Sequence, residues 1–302
     1  MSLSAEQLSE RLRGVGGSDA AAAVNLSRYK SPLRLFQEKR GEIPPDDLSD
    51  NELVHFGNVL EDVVADEFTR RRGLTLRRDR RTLWHPQHDF MLAHIDRRII
   101  GAEEGLECKT ASLRMVKEWG EEETDSVPIE YLVQCAHYMA VTGFTAWHVA
   151  VLIAGNDFRM YRIERDEELI ESLVAREAAF WECVKTGAPP EPTTIEDAFS
   201  MWPQDMGKSV AATPEIAADI AQLHQLKGTE KLTKSQIDET GLRIRSFMKD
   251  ATTLLAGPNG KPLATWKAQV ANRIDVDRLR LEQPTIAERY TKVSPSRVLR
   301  LK

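Results

Sequence analysis

The seven residues GLECKTA, from Gly105 to Ala111, leave this chain few options. Successive side chains of an extended strand point to opposite faces, so Glu107 and Lys109 share one face of a sheet while Leu106, Cys108 and Thr110 take the other. Two readings account for opposite charges placed this way. One is a solvated edge strand that carries charge along its exposed side. The other is a strand whose carboxylate holds a metal ion and whose ammonium works beside it. The pattern alone does not choose, because ordinary Glu and Lys frequencies yield about one chance match in a chain this long.

Its surroundings narrow the choice. Asp96 ends the strand-like run MLAHID, and a tight hairpin through Gly101 and Gly105 sets that carboxylate beside Glu107 on the paired strand. Two carboxylates and a lysine then converge. Hydrolysis of a phosphodiester needs such a set: oxygen ligands for a Mg²⁺ ion that keeps several waters, and a cation to orient or deprotonate the attacking water. The main-chain carbonyl of Cys108, between the two charged residues, adds a candidate ligand. Glu61, at the margin of the apolar stripe of HFGNVLED, offers a third carboxylate or is a solvated helix residue. Gln134 lies one helical turn from Tyr131 and Tyr138 and presents an amide from a core-facing side, either as a satisfied flank residue or as part of the same constellation.

The rest of the chain supplies elements to carry this strand. SPLRLFQEKRG is punctuated as a short helix, with Ser31 as N-cap, Pro32 at its first position and Gly41 as its stop. HFGNVLEDVVADEFTRRRG places Val59, Leu60, Val63, Val64 and Phe68 on one stripe, predicting a helix packed on a sheet. RTLWH, FMLAHIDRRII and GLECKTA read as an antiparallel meander. VPIEYLVQCAHYMAVTG is a helix stopped by Gly143, AWHVAVLIAGNDFRMYRI is two strands about Gly155-Asn156, and a charged helix runs from Arg165 to about Thr186. The Pro-rich TGAPPEPTT marks a linker, followed by a long helix and a hairpin turning at Asn259-Gly260.

Composition excludes several classes. Three widely spaced cysteines, Cys108, Cys135 and Cys183, form neither a zinc or iron-sulfur motif nor a disulfide framework, and are expected to be small core residues. No apolar run approaches the length of a membrane span and the start MSLSAEQLSERLRG has no signal-peptide core, so a soluble cytoplasmic protein is expected. The net charge of -6 argues against a chain that coats nucleic acid non-specifically, yet charge is uneven: residues 259–302 carry ten Lys/Arg against four Asp/Glu. That basic stretch is either a solvated surface or one that holds a duplex or joins subunits.

Asp96 and Glu107-x-Lys109, in this order of elements, resemble the PD-(D/E)xK nuclease superfamily. More specifically, the chain is similar to the YqaJ-type viral recombinases related to lambda exonuclease. The resemblance is carried by RLRGVGGSDAAAAVNLSRYKSPLRLFQEKRG, FGNVLED with Glu61, HID with Asp96, LECKT and YLVQCAHYMAVTG with Gln134. The C-terminal GPNGKPLATWKAQ and YTKVSPSRVLRLK extend it over nearly the whole chain. It implies an α/β (α+β) fold: a restriction-endonuclease-like core with a mixed central sheet flanked by helices over residues 1–190, and a mainly helical extension with a β-hairpin over 191–302.

It also implies a Mg²⁺-dependent 5′→3′ exonuclease on double-stranded DNA, with Mn²⁺ able to substitute. Asp96, Glu107, Glu61 and the Cys108 carbonyl would serve the metal and Lys109 the attacking water. Arg11, Ser18 and Gln134 would hold the terminal 5′-phosphate or shape the site. Family members act as toroidal trimers and partner a phage single-strand annealing protein. Two departures bear on the phosphate contacts: His94 stands where a serine occurs, and GVGGSD replaces an ITAS-like form. Rival readings are a structure-specific or nicking endonuclease on the same fold and a catalytically idle DNA-end-binding protein.

Overall fold

A computed structural model describes residues 10–292 and 296–302. Residues 1–9, which begin the polar N-terminal stretch, and residues 293–295 of the YTKVSPSRVLRLK segment lie outside the described residues. The chain divides into two compact units, Met1–Met201 and Trp202–Lys302.

The first unit is organised about β7 (Ala146–Ile153), whose residues AWHVAVLI are nearly all buried, as a strand covered on both faces must be. Its neighbours are β6 (Glu104–Ala111), which runs parallel to it, and β8 (Asp157–Glu164), which runs antiparallel. β5 (Arg97–Ile99) and β2 (Leu76–Arg78) extend the sheet beyond β6, giving the order β2-β5-β6-β7-β8. The parallel pair needs a crossover, supplied by α4 (Ile129–Thr142). A smaller sheet pairs β1 (Val15–Gly16) and β3 (Leu83–Trp84) with β4 (Met91–Ala93).

Helices cover both faces of the large sheet. On one face α3 (Glu52–Arg72) buries Val64, Ala65 and Phe68 against Leu106, Ala150, Phe158 and Met160. On the other, α4 and α5 (Glu167–Thr186) pack with Trp147, Val149, Val151 and Tyr161 into the main core, together with α1 (Gly17–Ala23) and α2 (Pro32–Lys39). Ser31 caps α2 by accepting from the Arg34 N–H at 3.1 Å, as its position before Pro32 predicted. Gly73, Gly143 and Gly187 end α3, α4 and α5 in the left-handed conformation that glycine adopts without strain.

Three sequence expectations change. FMLAHIDRRII is not one strand: β4 belongs to the small sheet, β5 to the large one, and the chain bends at Asp96 to pass between them. The buried stripe of α3 is narrower than predicted, because Val59 and Val63 are 54% and 52% exposed and only its C-terminal half lies on the sheet. Among the cysteines only Cys135 is fully buried; Cys108 and Cys183 are half-buried, and all three are free. The first unit includes α6 (Ile195–Met201), which follows the Pro-rich TGAPPEPTT. Asp197 of α6 accepts from the Ser31 hydroxyl at 2.6 Å and from the Thr193 N–H at 3.0 Å, tying the segment back to α2.

In the second unit α7 (Pro214–Met248) is a single 35-residue helix, begun by Thr213 as N-cap. A hairpin of β9 (Thr253–Leu255) and β10 (Pro262–Thr265) follows, then the short helices α8 (Val276–Glu282) and α9 (Pro284–Arg289). No helix among the described residues is long and apolar enough to cross a membrane.

The first unit is tied at its centre by a fully buried ion pair. His137 of α4 sets Nδ1 2.9 Å from Glu177 of α5 and Nε2 2.9 Å from the Leu92 carbonyl of β4, so both ring nitrogens face acceptors and both act as donors. Burial works against the imidazolium, but the Glu177 charge and hydrogen bond outweigh it and raise its pKa. The pair's stabilisation is therefore full below the ordinary histidine pKa and lost as pH rises through the raised one. His137→Leu should cost about 3–5 kcal/mol, since it leaves Glu177 as an uncompensated buried charge. The double variant His137→Leu/Glu177→Leu should recover most of that loss in denaturant unfolding, with a midpoint less sensitive to pH between 6 and 9.

Candidate active site

β6 separates its side chains as its alternation requires. Leu106 and Cys108 pack toward α3, while Glu107 and Lys109 point toward α4. Neither charge is on a solvated edge: β6 lies between β5 and β7, and Glu107 is 3% exposed. A buried carboxylate needs partners. Glu107 Oε1 accepts from Lys109 Nζ at 2.6 Å and from Gln134 Nε2 at 2.8 Å. Gln134 Oε1 in turn accepts from Lys109 at 3.1 Å, and its Nε2 also reaches the Tyr138 hydroxyl at 2.8 Å. The amide thus clamps both charged ends, and the Tyr131 ring covers the ammonium at 4.7 Å. Burial opposes the Lys109 charge, yet Glu107, Tyr131 and Asp96 outweigh it and hold the ammonium above its ordinary pKa.

Asp96 occupies the bend just before β5. Pairing of Arg97 with Leu106 brings it level with Glu107, although the ladder begins one residue later than a continuous hairpin requires. Its Oδ2 accepts from the Cys108 N–H at 2.8 Å. Burial, then repulsion from Glu107 and Glu61, hold its carboxyl well above the usual range, and Lys109 only partly offsets them. Negative charge is therefore in excess here. Glu107 Oε2 makes that visible: it is buried and has no hydrogen-bond partner. A hard divalent cation with oxygen ligands would satisfy this atom and relieve the repulsion, so Asp96 and Glu107 fit such an ion.

Glu61 stands differently from the expectation. Among the described residues, no three His, Cys, Asp or Glu side chains close into a single metal-ligating group. The reason is topological: α3 lies on the Leu106 face, and Glu61 is gripped there by Arg97 at 2.6 Å and Arg78 at 2.9 Å. Both guanidiniums fall on Oε1. Among the described residues Oε2 accepts no hydrogen bond, just as Asp96 Oδ1 accepts none. Each of the three carboxylates thus has one oxygen held by the protein and one left over. Cys108 contributes its N–H to the site through Asp96.

Arg11 and Ser18 are brought together in a second cluster. Arg11 donates to the Ser18 hydroxyl at 2.5 Å and lies 3.7 Å from Asp19, which Lys39 holds at 2.7 Å. His94 lies near this cluster and pairs with Thr82 at 2.9 Å, whose hydroxyl also donates to Glu10; burial, followed by the nearby Arg11 charge, lowers the His94 pKa. Gly17 sets this cluster against the first, because a β-carbon there would lie 2.3 Å from the Tyr138 ring. Arg97, Arg78 and the two tyrosines add to the site residues that the sequence indicates. Tyr131 and Tyr138 are legible from their helical spacing to Gln134, whereas no local signal marks the arginines, whose partners Glu61 and Asp62 lie on an element distant in the chain.

Residues 7–145 match the family described as YqaJ-like viral recombinase domain. Uncharacterized protein YqaJ of Bacillus subtilis is 36% identical over 295 residues, covering 95% of this chain and 90% of that protein. Among solved structures, an alkaline exonuclease from Laribacter hongkongensis is similar with a TM-score of 0.50 at 18% identity, over 61% of this chain and 94% of that one. The likeness shows a shared fold, the restriction-endonuclease-like core of mixed sheet and flanking helices.

Charge repulsion at this site has a measurable consequence. Asp96→Asn keeps an acceptor for the Cys108 N–H and removes one of the crowded charges. In metal-free buffer it should melt at or about 2–4 °C above the parent, as a gain of roughly 1 kcal/mol produces in a domain of this size. A fall of the same size in a thermal scan would show that repulsion is not what sets the site.

Proposed function

Because the chain belongs to the YqaJ-like viral recombinase family, we propose that it is a Mg²⁺-dependent exonuclease. It shortens one strand of linear double-stranded DNA from the 5′ end and leaves a single strand for annealing. The observation that carries this reading is the buried, unpartnered Oε2 of Glu107 beside Asp96, with Lys109 in contact. Unsatisfied buried carboxylate oxygen is costly in a protein interior and is accounted for by a cation. The description of the Laribacter neighbour as an alkaline exonuclease points the same way.

Asp96, Glu107 and the Cys108 carbonyl hold the ion, with Glu61 as the further carboxylate, and Mn²⁺ substitutes for Mg²⁺. When bound, the ion polarises the scissile phosphate and offsets its charge. Lys109 orients the attacking water by donating to it, and Gln134 keeps the ammonium and Glu107 in register by contacting both. Arg11 and Ser18 take the terminal 5′-phosphate, whose oxygens match a guanidinium and a hydroxyl already placed side by side. The assembly is a homotrimer on a DNA end, and its single-stranded product passes to a phage single-strand annealing protein.

A linear duplex labelled at either 5′ end, with and without its 5′-phosphate, tests this directly. Label should be released from 5′-phosphorylated ends with Mg²⁺, and a chelator should stop it. Lys109→Ala should lower the rate at least about 10²-fold while leaving duplex affinity within a few-fold, since one cation is a small part of phosphate binding. Cleavage of a covalently closed circle would make the protein an endonuclease. End binding without hydrolysis would make it an idle DNA-binding protein.

A further inference from the structure

Strand pairing sets Arg97 of β5 directly opposite Arg78 of β2. Like charges across a ladder repel, so the pair needs acids close by. α3 supplies two in succession, Glu61 and Asp62. Arg78 reaches Glu61 at 2.9 Å and Asp62 at 2.7 Å. Arg97, only 5% exposed, does more than complete the plate. Its Nη2 hydrogen-bonds Asp62, while its Nη1 donates both to Glu61 Oε1 at 2.6 Å and to the main-chain carbonyl of Asp96 at 2.7 Å. One planar group therefore touches the backbone that aims Asp96 and the carboxylate of Glu61.

We propose that Arg97 is a positioning residue for the metal-binding carboxylates. It locks the Asp96 bend and the Glu61 carboxylate into one geometry, so that the oxygen left free on each is available when an entering cation closes the group. The inference rests on the nuclease reading above. Charge balance alone does not require the bond to the Asp96 carbonyl, which bears no net charge. A guanidinium acting as a rival of the metal would also occupy the free oxygen, whereas Arg97 and Arg78 converge on Oε1 and leave Oε2. The role needs arginine: a forked donor reaches Glu61, Asp62 and the Asp96 carbonyl at once, and a lysine point charge does not.

The test is calorimetric titration of the full-length chain with Mn²⁺, alongside thermal melting and cleavage measured against Mg²⁺ concentration. Arg97→Lys should fold yet bind Mn²⁺ about ten- to a hundredfold more weakly, the range found when a group that orients a metal ligand is lost. Half-maximal cleavage should require correspondingly more Mg²⁺, with kcat largely recovered at saturation. Glu61→Gln should weaken Mn²⁺ binding too, and the double variant should lose less than the product of the two effects, because they share a mechanism.

Mn²⁺ affinity within twofold of the parent in Arg97→Lys, whatever its melting temperature, would overturn the proposal. So would full additivity with Glu61→Gln. Should Arg97→Lys fail to fold, Arg97→Met/Glu61→Gln/Asp62→Asn removes the buried charges together. It should bind Mn²⁺ several-fold more weakly than Glu61→Gln/Asp62→Asn, and equal affinity would count against Arg97. A wild-type protein that neither binds Mn²⁺ nor cleaves DNA overturns the nuclease reading and this role with it. A wild type that does both, beside an unaffected Arg97→Lys, overturns the role alone.

Discussion

Two carboxylates, the buried Glu107 and the half-buried Asp96, are held level with each other, and the surrounding structure is arranged to tolerate them. Ionised acids in a protein interior are expensive unless each is paired and hydrogen-bonded. Lys109 supplies the counter-charge, Gln134 holds that lysine and Glu107 at once, and the Cys108 N–H satisfies one oxygen of Asp96. The compensation stops one atom short, at Glu107 Oε2. A site that is nearly but not wholly satisfied is poised for a ligand that completes it.

The two-faced sheet explains how the acids are distributed. Alternation along β6 sends Glu107 and Lys109 to the α4 side and Leu106 to the α3 side, so a carboxylate carried by α3 starts on the wrong face. Glu61 lies instead at the sheet margin, where Arg97 of β5 and Arg78 of β2 stand in register and hold it. The same margin is where the chain leaves the small sheet for the large one. Fixing that crossing fixes Asp96, and the buried His137–Glu177 pair contributes from behind by tying α4 and α5 to the Leu92 carbonyl of β4.

Close packing, and not charge alone, joins the site to the N-terminal cluster. α1 approaches Tyr138 so nearly that only glycine fits at position 17, and Tyr138 accepts from the same amide that clamps Glu107 and Lys109. Ser18 and Arg11 are thereby placed by the helix that carries the clamp. His94, near this cluster, is paired with Thr82, which also donates to Glu10.

Local physics made much of this legible in advance. Period-two alternation assigned Glu107 and Lys109 to one face, the Ser31-Pro32 start and the glycine stops bounded the helices, and the spacing of Tyr131, Gln134 and Tyr138 put them on one side of α4. These are properties of a few adjacent residues, which is why the amino-acid order suffices for them. Tertiary structure alone decided the rest. The split of FMLAHIDRRII between two sheets, the exposure of Val59 and Val63, and the burial of Arg97 depend on which face meets a partner distant in the chain. Arg97 and Arg98 are neighbours of identical chemistry, yet the first is buried against Glu61 and Asp62 and the second faces Asp79. Burial and charge pairing are set by three-dimensional proximity, and neither can be read from a residue's own identity.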